Sequence, residues 1–421
     1  MNLRPYLKYL TTVFVVVIIG LLMFFAYKQA VKKFEVVTNP VNGNQAQNGN
    51  GDDNGVVVEP TADEEALLSN LKLPEGFNIS VFAKQLGKVR VMAFDSNGTM
   101  YVSITDQGKV MVLQDKNKDG KADLNLAILS GLNQPHGLTV FCPIDFPSCY
   151  LYVAETDSVS RWELDIDNFK LGPREKLFDL PGGGGHYTRT IKLINYEGEV
   201  KLLTSIGSSC NVCKEADSNR ATIMISDNDG ENLRKFATGL RNSVFMTQDT
   251  RSGRIYATEM GRDSLGDEVP PEEINVIEFG KFYGWPYCYD DNILDRSFST
   301  SKEADDACAS ATSPFVKMQA HSAPLGIALI ENSVFGDKLN NNLLVAFHGS
   351  WNRTVPTGYK VISIPVDENG NAGQPIDFIS GWLTNDGTVV DRPVDIKTWD
   401  NVMYITGDKE GIVYRVTYSS Q

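Results

Sequence analysis

A strand–turn–strand phrase, with Asp, Asn or Gly at its turns, recurs six times between residues 89 and 418. No good amphipathic helix interrupts it from Leu71 onward, and the early apolar run "FNISVFA" (Phe77–Ala83) has no repeat of its own. These three observations predict an all-β chain. Residues 66–421 read as a six-bladed β-propeller, preceded by one N-terminal transmembrane helix at residues 1–28 and a flexible linker at residues 29–65. Hairpin units of about four strands each are the signature of a propeller, and the orphan run would complete the last blade and close the ring. A pair of β-sandwiches, the next best reading, would not need the same phrase six times.

Residues 9–27 carry no charge over 19 positions. At ~1.5 Å per helical residue such a run spans about 28 Å, close to the hydrocarbon core of a bilayer. No small-residue cleavage site follows Phe25, so an uncleaved anchor is expected rather than a cleaved signal peptide. Basic residues flank the run on both sides and set no orientation. The next stretch, "EVVTNPVNGNQAQNGNGDDNGVVVEPTADEE", is rich in Asn, Gly and Asp and poor in large apolar residues. It cannot bury enough surface to order itself, and reads as a tether.

The repeats then follow in order: residues 89–115, 136–164, 188–209 continuing at 221–227, 243–263 continuing at 273–280, 325–351 continuing at 359–367, and 393–418. Turn residues between alternating apolar runs make each a hairpin. Six cysteines fall into three close pairs, Cys142/Cys149, Cys210/Cys213 and Cys288/Cys308. "CNVCK" lacks the histidine of c-type haem attachment, and no second CxxC completes a zinc site. The pairs Cys142–Cys149, Cys210–Cys213 and Cys288–Cys308 are therefore expected as disulfides, which places the domain in an oxidising, extracytoplasmic compartment.

The net charge of −14 argues against a nucleic-acid partner, which would want a basic face. Within this acidic chain, histidine and arginine gather at blade junctions. His186 follows four glycines in "LPGGGGHYTRT" (residues 180–190), a stretch whose bare backbone could approach a flat ligand closely. Arg241 and Asn242 lie in "GLRNS", Gly261 and Arg262 in "EMGRD", His348 and Arg353 in "HGSWNR", and Arg392 in "DRPVD". Arginine binds carboxylates through charge-assisted bidentate bonds, so an anionic ligand is expected. Apart from these, "DKNKDGKAD" sets Asp115, Asn117, Asp119 and Asp123 at the alternating spacing of a calcium loop around Gly120, though without the acid at position 12. A solvated hairpin turn is the other reading.

Taken jointly, "LPEGFNISVFA", "GGGGHYTRTI", "IGSSCNVC", "GLRNS", "EMGRD" with "EEIN", "YGWPYC", "AHSAPLG", "FHGSW" and "RPVDI" follow in order from Leu73 to Ile396, within a resembling stretch of residues 71–416. The chain resembles the pyrroloquinoline quinone (PQQ)-dependent sugar dehydrogenases, especially the L-sorbosone dehydrogenase-like branch, and more distantly soluble quinoprotein glucose dehydrogenase. The resemblance implies PQQ and Ca²⁺ as cofactors. It makes His186 the general base that takes a hydroxyl proton while hydride passes to PQQ, with an ordinary imidazole pKa near ~6.5. It sets Arg241 and Asn242 against the quinone oxygens, where a fixed cation acts electrostatically, and gives the calcium ligands as the backbone carbonyls of Gly261 and Arg262. The glucose dehydrogenase has Gly-Pro at this last pair. His348 and Arg353 occupy the neighbourhood of that enzyme's cofactor-binding lysine, and Arg392 matches one of its two cofactor arginines.

The function expected is a membrane-tethered, extracytoplasmic quinoprotein dehydrogenase. Its partners would be a small-molecule sugar or alcohol substrate, an unidentified electron acceptor, and the membrane through the N-terminal helix. Two other classes share such a fold: a calcium-dependent lactonase or esterase, which would want a ring of carboxylate and Asn ligands down the channel, and a non-catalytic binding propeller.

Overall fold

Phe77–Ala83 runs antiparallel to Ile412–Tyr418, pairing Phe77 with Tyr418 and Ile79 with Val416. The first strand of the domain thus becomes the outer strand of the last blade. The computed structural model describes residues 62–143, 148–331, 335–336 and 339–419. It shows six antiparallel blades, each with a four-stranded main path. Their innermost strands are Val89–Phe94, Leu138–Phe141, Arg189–Tyr196, Met246–Gln248, Pro324–Ile330 and Pro393–Trp399, in blades 1 to 6 respectively. The expected repeat count and the closing role of Phe77–Ala83 both agree with this arrangement.

Alternation within the strands fills the gaps between blades. Between blades 5 and 6, Phe77, Phe378, Trp382, Ile396 and Tyr414 form one buried cluster. Trp382 meets Tyr414 edge-on at 5.5 Å, a favoured aromatic geometry. At the lumen the inner strands approach backbone to backbone, and glycine makes room for this. A Cβ on Gly326 would lie 2.5 Å from the Val394 carbonyl oxygen, and one on Gly137 would lie 2.6 Å from that of Arg189.

Two features depart from the sequence reading. Residues 62–65, expected within the linker, belong to a helix, Ala62–Leu68. It is ordered because buried Glu64 accepts from Lys84 at 3.0 Å and Lys121 at 3.1 Å, a tertiary contact that composition does not reveal. A second helix, Lys302–Ser310, forms inside the long connection between the third and fourth strands of blade 4. Ser301 caps it, and it buries only Ala304 and Cys308, too narrow a stripe to register as amphipathic. The loop at 115–123 folds as a hydrogen-bonded turn. Asp115 accepts from the N–H groups of Asp119 and Gly120, Asp123 from those of Lys116 and Asn117, and Asp119 from that of Lys121.

The disulfides Cys142–Cys149, Cys210–Cys213 and Cys288–Cys308 are all formed. The last pins the blade 4 helix to the short hairpin Cys288–Tyr289/Ile293–Leu294. The expected anchor at 1–28 and the linker up to residue 61 lie outside the described residues, among which no helix is long and apolar enough to cross a membrane.

Gly326→Ala is expected to lower stability by roughly 1–3 kcal/mol, the usual cost of overpacking, because the opposing atom is backbone and cannot swing aside. Urea unfolding of the variant against wild type measures this.

Candidate active site

The connections into the inner strands, and those from each second to third strand, emerge at one end of the lumen. There the polypeptide around His186 is shaped by two arginines. Arg220 Nη2 donates to the carbonyls of Pro181, Gly182 and Gly183 at 3.0, 2.6 and 2.7 Å, and Arg189 donates to those of Pro181 and His186 at 2.8 Å each. Turning successive carbonyls onto one guanidinium requires left-handed backbone at Gly183 and Gly184 (φ +70° and +85°), which glycine adopts without strain. The glycine run therefore wraps an internal cation and aims His186.

His186 Nδ1 lies 3.1 Å from the Ser208 carbonyl and 2.9 Å from Ser208 Oγ. Ser208 Oγ gives its own proton to the Cys210 carbonyl at 2.6 Å. Both groups facing Nδ1 thus act as acceptors, the proton resides on Nδ1, and the lone pair is left on Nε2. Nε2 has no hydrogen-bond partner among the described residues. Burial, then the charge of Arg241 with smaller shares from Arg189 and Arg220, pushes this imidazole down to about 3. The ordinary value expected from sequence is corrected: desolvation and three guanidinium groups disfavour a further positive charge. Beneath the ring lies Gly207, where a Cβ would come within 2.6 Å of His186 Cβ and 2.8 Å of Asn242 Oδ1.

Arg241 is buried, and all five of its N–H groups meet protein acceptors. Nε reaches the Asn211 carbonyl (2.9 Å), Nη2 reaches Asn211 Oδ1 and Asp263 Oδ2 (2.8 Å each), and Nη1 reaches the carbonyls of Gly261 (2.9 Å) and Met260 (3.4 Å). With its hydrogen bonds taken up by the protein, the guanidinium can act on a neighbouring ligand through its charge. Asn211, which anchors it, sits inside the Cys210–Cys213 loop and also accepts from Trp285 Nε1 at 3.2 Å. Asn242 is buried alongside, its backbone N–H on Glu259 Oε1 at 3.0 Å.

Hard oxygen groups collect around Gly261 and Arg262. Glu272 accepts from the Gly261 N–H at 2.8 Å, and burial raises it to about 8; burial likewise lifts Glu273 to about 7 and Glu259 well above the usual range. Glu259 Oε2 is buried without a hydrogen-bond partner. The three carboxyl groups do not converge on one point, but the unpartnered Glu259 oxygen beside backbone carbonyls is the donor type Ca²⁺ takes, so the residues present fit the ion. The Arg262 side chain turns aside to Asp295 and Ser297, leaving only its carbonyl as a candidate ligand. At 115–123 the carboxylates accept from their own loop's amides. The cluster of three candidate ligand atoms found among the described residues is Cys210, Cys213 and Glu215, and its two sulfurs are bonded to each other.

Across the rim, His348 Nε2 meets Asp408 Oδ1 at 2.9 Å, and Arg90 Nη1 meets Asp408 Oδ2 at 2.6 Å. Burial alone would raise the Asp408 carboxyl, yet the His348 bond and the Arg90 charge hold it below its ordinary range. Burial keeps His348 neutral, so Nε2–H is the donor. Arg90 Nε is buried and unpaired. Arg392 lies over the Tyr359 ring (4.9 Å to its centroid) and makes only long hydrogen bonds, to Gly349 O (3.3 Å), His348 O (3.5 Å) and Tyr359 Oη (3.4 Å), and so retains donor capacity for an anion. Arg353 departs from expectation: its guanidinium faces Asp267 O, Ala320 O and Glu268, stapling the 351–357 loop to blade 4. Sequence reasoning missed Arg90, Ser208, Asn211, Arg220 and Asp408. Only Arg90 carried a signal, as a charge inside the apolar strand "VRVMAF".

A propeller whose rim unites a neutral, outward-facing imidazole with fixed arginines and a hard-oxygen cluster is the frame of a quinoprotein sugar dehydrogenase. The chain belongs to the TrAA12-like family, whose profile matches residues 71–419. An uncharacterized protein of Borreliella burgdorferi is 29% identical over 381 residues, covering 84% of this chain and 92% of the relative. A pyrroloquinoline quinone-dependent pyranose dehydrogenase of Coprinopsis cinerea is 25% identical over 348 residues, 70% of this chain but 45% of that protein, so the chain spans under half its length. The fold is shared with the holo PQQ domain of the Coprinopsis cinerea pyranose dehydrogenase (TM-score 0.69, 22% identity, 82% of this chain and 97% of that one). It is also shared with a calcium structure of a Trichoderma reesei Carbohydrate-Active Enzymes Family AA12 protein (TM-score 0.71, 21% identity, 83% and 97%).

Gly207→Ala is expected to tilt the His186 ring and lower kcat on the order of 10²-fold, the scale of an ~1 Å misplacement, with the circular-dichroism melt little changed. In cofactor-free protein the His186 imidazole is expected to stay neutral through pH 5. Arg241→Met removes a nearby positive charge and should raise its titration midpoint, which an NMR pH titration of the ring protons reads directly.

Proposed function

We propose that this protein is a PQQ- and Ca²⁺-dependent dehydrogenase acting on a pyranose or related sugar alcohol or aldehyde. The observation that carries this is the tautomer of His186, whose proton is fixed on Nδ1 and whose Nε2 lone pair is free beside the arginine-rich rim. Arg392 and Arg90 would hold carboxylates of PQQ from one side of the rim, and Asn242, beside Arg241 and His186, would face it from the other. The carbonyls of Gly261 and Arg262 would ligate Ca²⁺, a Lewis acid for a carbonyl oxygen. PQQ, when bound, supplies the acceptor for the hydride.

The chain's own residues supply the rest. His186 Nε2 accepts the proton of the substrate hydroxyl, which makes the carbinol hydrogen a better hydride donor. Nδ1–H stays bonded to Ser208 throughout, so the ring cannot rotate away. The field of Arg241 favours negative charge developing at the rim, and it also disfavours imidazolium, so His186 readily passes its proton on to solvent. Bound carboxylates would offset part of the arginine charge and lift the imidazole towards a pKa suited to base catalysis. The three disulfides and the apolar run at residues 9–27 support an extracytoplasmic domain tethered to a membrane, from which electrons leave to an external acceptor.

Reconstitution of the purified protein with PQQ and Ca²⁺, followed by dye-linked oxidation across a panel of pyranoses, tests the reading. His186→Ala should bind PQQ as wild type does, yet turn over roughly 10²–10⁴-fold more slowly. Near-wild-type turnover would remove His186 from the base role. Chelation with EDTA should abolish PQQ-dependent activity, and added Ca²⁺ should restore it.

A further inference from the structure

Cys210 and Cys213 close the loop 210–213 directly between His186 and Arg241. On one side, the Cys210 carbonyl takes the Ser208 hydroxyl proton at 2.6 Å, which makes Ser208 Oγ an acceptor towards His186 Nδ1. On the other side, Asn211 receives Arg241 Nε on its carbonyl at 2.9 Å and Nη2 on Oδ1 at 2.8 Å. Asn211 Oδ1 also accepts from the Asp263 N–H at 2.8 Å, and Nδ2 donates to the Asp263 carbonyl at 3.1 Å. One short loop therefore sets both the imidazole tautomer and the guanidinium position.

The three disulfides differ in access and in what they constrain. Cys149, Cys288 and Cys308 are buried, whereas Cys210 and Cys213 are both half-buried and open to a thiol from solvent. Cys210 and Cys213 lie 3 residues apart, against 7 and 20 for the other two pairs. A disulfide constrains the unfolded chain less as its loop shortens, so this one adds least to global stability by that route. The sheet beneath does not depend on it: Ile206 pairs with Arg189 and with Thr222 through backbone alone. Glu215 accepts from the Ser209 N–H at 2.6 Å and hydroxyl at 2.7 Å, so the chain entering the loop stays anchored if the sulfurs part. What would loosen is 210–213 itself. Without the S–S bond, the entropy of ordering those residues falls on hydrogen bonds that each contribute about what ordering one residue costs.

We propose that Cys210–Cys213 is a thiol-exchange site through which an external dithiol switches the rim off and reoxidation switches it on. The consequence for turnover rests on the base role proposed for His186. A thiolate of the dithiol attacks one sulfur and expels the other as a thiolate, which solvent protonates. The second thiol then attacks the mixed disulfide and releases the remaining cysteine. The pair gains two electrons and two protons, and the dithiol becomes its own disulfide. Once the loop opens, Ser208 Oγ is released from the Cys210 carbonyl and can donate to His186 Nδ1. The Nε2–H tautomer, which presents no outward lone pair, becomes populated, and Arg241 loses its Asn211 anchor. In an oxidising compartment the closed, active form is the resting one.

The test uses full-length, cofactor-free protein. After graded dithiothreitol, alkylation and peptide mapping should find Cys210 and Cys213 labelled before Cys142, Cys149, Cys288 and Cys308. In reduced, unalkylated protein, the ring-nitrogen NMR spectrum of His186 should gain an Nε2–H population that reoxidation removes. The double variant Cys210→Ala/Cys213→Ala should show that population without reductant and no further change with it, which separates this disulfide from the other two. After anaerobic removal of the dithiol and loading with PQQ and Ca²⁺, kcat of the reduced protein should fall on the order of 10²-fold, the scale of a small misplacement of reacting groups, with KM little changed. Labelling of Cys210 and Cys213 last, or a His186 ring spectrum unchanged by their reduction, would overturn the proposal. Absence of turnover in the oxidised, loaded protein would overturn the dehydrogenase reading instead, and the ring spectrum would still decide the switch.

Discussion

The pairing of Phe77–Ala83 with Ile412–Tyr418 is the constraint on which the rest of the molecule depends. Blades packed only on their neighbours could fan open, and closing the ring ends that freedom by joining segments from opposite ends of the domain. The ion pair between Arg90 and Asp408 spans 318 positions in sequence and bridges blades 1 and 6 at this seam. His348, from blade 5, bonds the same carboxylate. The side of the rim that carries Arg392 is therefore assembled only once the ring is shut.

Arg241 and Arg392 would act by different means in the proposed reaction. Arg241 has spent its hydrogen bonds on Asn211, Asp263 and the carbonyls of Met260 and Gly261, so what it projects outward is field rather than contact. That field, added to burial, keeps His186 neutral and its Nε2 basic site open. Arg392 is loosely held and can rearrange around an incoming carboxylate. A saturated guanidinium positions, and an unsaturated one binds. Both are needed where a neutral base must sit beside an anionic ligand.

Much of this was legible in the chain. The six hairpin phrases, the cysteine pairs and the loops holding His186, Asn242 and Arg392 all stand out locally, because turn chemistry and apolar alternation act over a few residues. Arg353 and Arg241 show where that legibility stops. Both lie in motifs of the expected kind, yet one guanidinium turns to Glu268 and Asp267, and the other closes on Asn211 and Asp263. The direction of a long side chain is set by whichever acceptors the neighbouring blade presents, and those come from distant sequence.

The sequence by itself determined the blade count, the strand order, the cysteine pairing and the residue types available at the rim. Each follows from short-range spacing or from a repeat whose units must stack to bury their faces. Tertiary structure alone decided which nitrogen of His186 carries the proton, since this depends on Ser208, itself held by the Cys210 carbonyl, meeting the ring from the loop after Glu199–Ile206. It also decided that Glu64 orders a helix in an apparent tether. Those outcomes rest on burial and on charges brought together by ring closure. Such energies depend on distance through space, which no local pattern of residues records.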